Sequence, residues 1–229
     1  MLSIVATPIG NLGDITLRAI ETLKQCDAIV CEDTRVTGNL LKQLGIEKKE
    51  LISCHGYTDD RKIDGIIERL QAGQHLALVS DAGTPCISDP GYKLISTVSQ
   101  HSALSAQHCI EVIPGPSAFL AALSVSGLPI NQFVYIGFPP LKKGRQTLFQ
   151  SFVEEKRTIV LYESVHRIDK TLCEIADALS SQPDRAIVIA RELTKMHEEV
   201  THTTVALAKE AATSLMKKGE FVIVIGPKR

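Results

Sequence analysis

Short runs of Val, Ile, Leu and Ala, apolar at nearly every position, alternate along this chain with longer stretches whose apolar residues recur at helical spacing. A strand with no polar face must be covered on both sides, and helices crossing between parallel strands supply that cover. The runs in the first half fall at residues 2–6, 28–31, 51–54, 76–80 and 111–113. Helix-spaced segments lie between them at 16–25, 34–44, 60–72, 92–100 and 117–125. Asp14 or Thr16 is placed to cap the first of these helices and Asp60 the third. A mostly parallel sheet covered on both faces is therefore expected.

The alternation pauses at residues 126–131, which read as a linker, and resumes with a different texture. Strands are expected at 133–137, 158–162, 186–190 and 221–225, with a further short one at 201–204, and helices at 146–153, 167–179 and 205–217. This divides the chain into two α/β domains, 1–126 and 127–229, the second of ordinary domain size.

Composition narrows the functional classes. At 44% hydrophobic and 22% charged residues, the chain has the makings of a packed core. Lys and Arg number 25 against 26 Asp and Glu, a net charge of −1, which argues against a protein held to nucleic acid by bulk charge. Aromatic residues are only 4% and Trp is absent, so a stacking platform for bases is not expected as the main device. The six cysteines form no CxxC pair, and buried thiols in a reducing cytoplasm are a better reading than a disulfide framework or a metal site. Residues 1–8 lack a basic n-region and read as a first strand, not a signal peptide, and no apolar run is long enough to span a bilayer. A cytoplasmic location is expected.

The chemistry concentrates in four loops that follow strands. Three are rich in Gly and Pro: Thr7-Pro8-Ile9-Gly10-Asn11-Leu12-Gly13-Asp14, Ser80-Asp81-Ala82-Gly83-Thr84-Pro85 with Ile87-Ser88-Asp89-Pro90-Gly91, and Pro114-Gly115-Pro116-Ser117-Ala118. The fourth, Arg191-Glu192-Leu193-Thr194-Lys195-Met196-His197-Glu198-Glu199, is charged. At the carboxyl ends of parallel strands, the first three line the crevice where open α/β sheets bind ligands. Each alone reads as a tight turn; three in one half point to a binding site. No phosphate-cradling GxxxxGK[ST] is present, and Gly10-Asn11-Leu12-Gly13 is not a dinucleotide fingerprint. Backbone amides with an Asp at a strand end suit a neutral or cationic cofactor carrying ribose hydroxyls. S-adenosylmethionine fits, although this chemistry does not single it out.

The series Ala6–Thr16 with Glu32-Asp33-Thr34-Arg35 resembles the small-subunit ribosomal RNA 2′-O-methyltransferase I family, of the tetrapyrrole methylase superfamily. So do Ser80–Pro85, Ser88–Gly91, Pro114–Ala118, Leu161-Tyr162-Glu163-Ser164 and the charged loop, in order over nearly the whole chain. The resemblance implies two α/β domains with S-adenosylmethionine in a cleft between them, a homodimer, and methyl transfer to the ribose 2′-hydroxyl of a cytidine in 16S rRNA, naked or in the assembled small subunit. Carried over by position, Pro8, Ser80, Asp81, Ala82, Gly83, Thr84, Ser117 and Ala118 would meet the cofactor, with Glu163 and Thr203 closing over it. The chain departs from the family where members often read His-Glu-His-Asn-Glu, having His55-Gly56-Tyr57-Thr58-Asp59, and at His202-Thr203-Thr204, where a Gly is usual. Many members also continue beyond the position of Arg229.

A 2′-hydroxyl must lose its proton near the transition state, so a base or proton path is expected. The polar candidates are Glu32, Asp33, Asp81, Glu163, His166, Glu192, His197 and Glu198, and the favoured set is Lys195 with Glu198 or Glu192. A solvated ion-pair network is the competing reading of that loop. For RNA phosphates the candidates are Arg35, Lys142, Lys143, Arg145 and Arg191, the Leu141-Lys142-Lys143-Gly144-Arg145 cluster being the most basic. A porphyrinoid methyltransferase and a non-catalytic RNA-binding module are the rival readings.

Overall fold

The computed structural model describes residues 1–54, 59–89, 91–101, 104 and 109–228. The chain divides into two compact units, Met1–Ser117 and Ala118–Arg229.

In the first unit the strands are β1 (Leu2–Val5), β2 (Ala28–Cys31), β3 (Glu50–Ser53), β4 (Leu76–Leu78) and β5 (Ile110–Ile113). The helices between them are α1 (Leu17–Gln25), α2 (Thr34–Gln43), α3 (Asp60–Gln71) and α4 (Tyr92–Gln100). Thr16 caps α1, its hydroxyl accepting from the Ala19 amide at 3.0 Å, and Asp33 caps α2 through the Arg35 amide at 2.8 Å. At α3 the cap position is Asp59 and Asp60 lies within the first turn.

The five strands form a wholly parallel sheet in the order β3-β2-β4-β1-β5, with Leu2 paired to Leu76 on one side and Ile110 on the other. Ala19 and Leu23 of α1 and Leu41 of α2 pack with Val5, Ile29 and Val79 on one face. Ile63, Ile66 and Leu70 of α3 and Leu94 and Val98 of α4 pack with Leu2, Val30 and Leu78 on the other. Each fully buried Leu, Ile or Val contributes about 1.5–3 kcal/mol, which is why strands without a polar face hold this position. The helix after β4 thus leaves toward the opposite face from those after β1 and β2, its two neighbours. Chain reversals of this kind open a crevice at the carboxyl edge of a sheet.

The second unit holds α5 (Ala118–Val125), β6 (Phe133–Gly137), α6 (Arg145–Ser151), β7 (Thr158–Ser164), α7 (Ile168–Ala178), β8 (Ala186–Arg191), β9 (Glu199–Thr204), α8 (Ala208–Ser214) and β10 (Glu220–Ile225). Its sheet runs β6-β7-β10-β8-β9, with β6 and β7 parallel and the remaining pairs antiparallel. Phe149, Leu172, Ile175 and Ala208 from α6, α7 and α8 bury Leu161, Ile189 and Ile223.

The division after Ser117 lies upstream of the expected one after residue 126. Helix α5 packs on β7 and β10 of the second sheet, and the Phe119 ring meets Phe133 and Tyr135 at 6.1 and 4.5 Å. The helix is apolar on nearly every side, so its own pattern does not say which sheet it covers. No helix among the described residues is long and apolar enough to cross a membrane.

Candidate functional site

At the carboxyl edge of the parallel sheet, loops from four strands are tied into one ring. The Thr7 amide donates to the Gly83 carbonyl at 2.9 Å and the Gly83 amide returns a bond to the Thr7 carbonyl at 3.1 Å, joining the ends of β1 and β4. The Asp81 carboxylate accepts from the Asp33 amide at 3.1 Å, joining β4 to β2. The Thr84 hydroxyl donates to the Pro116 carbonyl at 3.0 Å, joining β4 to the loop after β5. At Gly115, an added Cβ would stand 2.9 Å from the Ala6 Cβ, so only glycine lets that loop lie against the end of β1. Gly83 sits with φ at +82°, and a Cβ there would meet Ile9 at 3.3 Å and the Pro116 carbonyl at 3.6 Å.

Ser80 and Thr7 are buried and serve the ring itself. The Thr7 hydroxyl donates to the Ser80 carbonyl at 3.2 Å, and the Ser80 hydroxyl points to the Gly83 carbonyl at 3.2 Å. Pro8, Asp81, Thr84 and Ser117 are partly exposed and Ala82 is exposed.

The charge at this edge is acidic. Glu32, Asp33, Asp81 and Asp89 stand at the ends of β2 and β4 or in the loops that follow them. The Arg35 guanidinium, hydrogen-bonded to Asp33 at 2.6 Å, holds that carboxyl at about 2. Burial, helped by the charges of Glu32 and Asp81, pushes Asp89 up to about 6 against the hydrogen bond from Ser80. Sequence reasoning placed Asp89 in a motif but gave it no role, because its proton affinity is set by carboxylates on other loops. The same loop holds Cys86 and Ser88 at φ of 70° and 64°, a conformation that L-residues adopt at a cost.

Most of the remaining candidates lie in the second unit, several of them in two ion clusters. In the charged loop, Lys195 Nζ donates to Glu192 at 2.8 Å and Glu220 at 2.9 Å. Burial alone would lower its pKa, yet these two carboxylates outweigh it and the net shift is upward. That direction is opposite to what a base working near neutrality needs. Glu192 also accepts from the Glu220 amide at 3.0 Å, and Glu198 accepts from the Thr194 amide at 2.5 Å. Arg191 is 5% exposed and bonds Glu199 and the Lys218 carbonyl, so it is not presented to RNA. His166 and His197 are exposed.

The second cluster corrects two further expectations. Glu163 is 1% exposed; its carboxylate accepts from Arg167 at 2.7 Å and Thr171 at 2.5 Å, with Arg145 at 3.7 Å, and has no free face for a cofactor. Arg145 is 3% exposed and also bonds Glu174 at 2.6 Å and the Pro140 carbonyl at 3.1 Å. It is a buried cation, unlike its exposed neighbours Lys142 and Lys143. Arg35 is exposed beside Asp33, Ala118 opens α5, and Thr203 pairs with Ile187 on β9, an edge strand. Residues 55–58, where the chain departs from its family, and Pro90 lie outside the described residues.

A parallel sheet with a ring of strand-end loops in one unit and a mixed sheet in the other define the class of protein. The profile of the Tetrapyrrole (Corrin/Porphyrin) Methylases matches residues 1–208. Two solved structures share the fold: a cobalt precorrin-4 methyltransferase, CbiF, with a TM-score of 0.65 at 21% identity over 98% of this chain and 94% of that one, and the methyltransferase CobJ, with 0.70 at 17% over 100% and 95%. Among curated proteins named ribosomal RNA small subunit methyltransferase I, that of Synechocystis sp. is 46% identical over 98% of this chain and 78% of its own length. Those of Escherichia coli O157:H7 and Thermotoga maritima are 43% and 41% identical, over 98% and 99% of this chain and 77% and 98% of theirs. The chain belongs to the tetrapyrrole methylase family and, within it, to the ribosomal RNA small subunit methyltransferase I family.

Proposed function

We propose that this chain is an S-adenosylmethionine-dependent methyltransferase that modifies the ribose 2′-hydroxyl of a cytidine in 16S rRNA of the small ribosomal subunit. The observation that carries the reading is identity of 41–46% across almost the whole chain to relatives bearing the rRNA methyltransferase name. The donor set at the loop ring agrees with the cofactor. Carboxylates predominate there, and the Arg35 guanidinium is already paired with Asp33, which disfavours a phosphate-rich ligand and suits a cation.

S-adenosylmethionine supplies a methyl group on a positively charged sulfur. Pro8 and Ala82–Thr84 would offer backbone and shape to it, and Asp81 and Asp89 their carboxylates. Displacement at the methyl carbon is in line, so holding the acceptor oxygen in register supplies much of the rate. The rigidity of the Thr7–Gly83 and Thr84–Pro116 ties serves that alignment.

The test is a tritiated methyl-transfer assay on naked 16S rRNA, assembled small subunits and a porphyrinoid acceptor. Label in RNA that protects one phosphodiester from alkaline hydrolysis is the expected result. Label only in the porphyrinoid would replace this reading, and an absence of S-adenosylmethionine binding by calorimetry would leave a non-catalytic module.

A further inference from the structure

Only ten residues of this chain are Phe or Tyr, yet five of them form one connected group of rings in the second unit. Phe119 meets Tyr135 at 4.5 Å, Tyr135 meets Tyr162 edge-on at 5.5 Å, and Tyr162 meets Phe138 at 5.4 Å. The inner end is anchored where the Tyr162 hydroxyl accepts from the Phe119 amide at 3.2 Å. The outer end is Phe138, 52% exposed.

Its exposure is built into the backbone. The β6–β7 register shifts between Tyr135 and Gly137, and Gly137 adopts φ of +69°, so the strand ends in an irregularity of the kind that re-aims the next side chain. Pro139 and Pro140 follow and stiffen the turn. Arg167 donates to the Pro139 carbonyl at 3.2 Å and Arg145 to the Pro140 carbonyl at 3.1 Å, and Glu163 lies between the two guanidiniums. A buried ion cluster is weak evidence for stability, since apolar residues could fill the same space as well. What this one does is fix two consecutive carbonyls. Beyond them Leu141 is 72% exposed, and Lys142 and Lys143 are exposed with no ion pair among the described residues.

We propose that Phe138 is a ledge on which an unpaired base of the RNA substrate stacks, with Lys142 and Lys143 receiving the flanking phosphates. Arg145 and Arg167 are then positioning residues that hold the ledge from beneath. This deepens the rRNA methyltransferase reading and rests on it. Unpaired RNA is bound by this combination of aromatic face and cationic groups, and stacking tolerates any base. It also revises the expectation from composition: few aromatics suffice when they are gathered at one exposed point.

Because the chain contains no Trp, Phe138→Trp places a single indole at the ledge. Its emission is expected to be quenched by a small-subunit rRNA fragment and to recover as salt is raised. In methyl transfer, Phe138→Ala is expected to raise the KM for RNA about tenfold, the usual cost of one lost stacking contact, while kcat and the KM for S-adenosylmethionine hold. Phe138→Trp should restore the RNA KM. The double variant Lys142→Ala, Lys143→Ala should reduce the slope of log affinity against log salt by about 1.4, as for two single-strand phosphate contacts. Arg145→Lys, which keeps charge but loses the planar fork, should raise the RNA KM alone; if that variant does not fold, Phe138→Ala still decides. An unchanged RNA KM in Phe138→Ala with no quench in Phe138→Trp, while the wild type labels RNA, would overturn the ledge and leave the activity standing. Quenching that follows protein concentration without RNA would assign the ring to a protein contact and overturn it too. Wild-type protein that neither labels nor binds RNA would sink both.

Discussion

Thr7 and Gly83 exchange backbone hydrogen bonds in both directions, at 2.9 and 3.1 Å, although they belong to loops that follow different strands and precede helices on opposite faces of the sheet. The pair closes the edge at which the chain diverges, and Gly83 is the tighter constraint of the two. Gly83→Ala forces an L-residue into φ of +82° and brings a methyl within 3.3 Å of Ile9. A stability loss of about 1–3 kcal/mol is expected from urea unfolding. Calorimetry should show a larger loss in S-adenosylmethionine affinity than that unfolding accounts for.

Asp89 gives the site a pH signature. Its folded pKa of about 6 lies above the 3.8 of an ordinary Asp, so between these values the folded state binds the extra proton. Stability from this group is therefore fully present below about pH 3.8 and is lost as pH rises through 6, which makes the charged form a constant handicap above it. Asp89→Asn should raise the unfolding temperature at pH 8, and the gain should disappear by pH 4. A gain independent of pH would refute the assignment.

Removing Glu163 takes a buried counter-charge from both Arg167 and Arg145, leaving Arg145 with Glu174 alone. Glu163→Ala is expected to cost about 3–5 kcal/mol in equilibrium unfolding. The double variant Arg145→Met, Glu163→Leu should recover part of that loss, because the buried guanidinium goes with its counter-charge and the charges left behind, Arg167 and Glu174, are both partly exposed.

Lys195 is an ammonium between two carboxylates, so Lys195→Ala should leave the shape of the pH–rate profile intact and cost at most about 1 kcal/mol of stability. A profile that loses its basic limb would restore Lys195 as the proton-handling group.

What the sequence made legible followed from periodicity. The apolar runs at 28–31 and 76–80 read as doubly covered strands, and the turn residues around Gly83 and Gly115 marked the loops that meet. What it concealed depends on partners far along the chain. Arg145 reads as one more member of a basic cluster until Glu163 and Glu174 are seen beside it. Lys195 reads as a proton-handling group with Glu198 or Glu192, or as part of an ion-pair network, until Glu220 is seen to complete its pairing from another strand. Helix α5 reads as part of the first domain, because a segment apolar nearly all round does not show which sheet it covers. Asp89 was visible as a residue, but the burial that raises its pKa was not.

The loop ring is stitched from positions far apart in the chain: 76 residues separate Thr7 from Gly83, 48 separate Asp33 from Asp81, and 32 separate Thr84 from Pro116. Contacts of such span form late, after the entropy of closing long segments has been overcome. During synthesis, the ring that begins at Thr7 can close only after residue 116 has been added. Under the proposed function, cofactor capture would report completion of the first unit, and a saturating cofactor would stabilise that unit as a whole by mass action instead of tightening one loop.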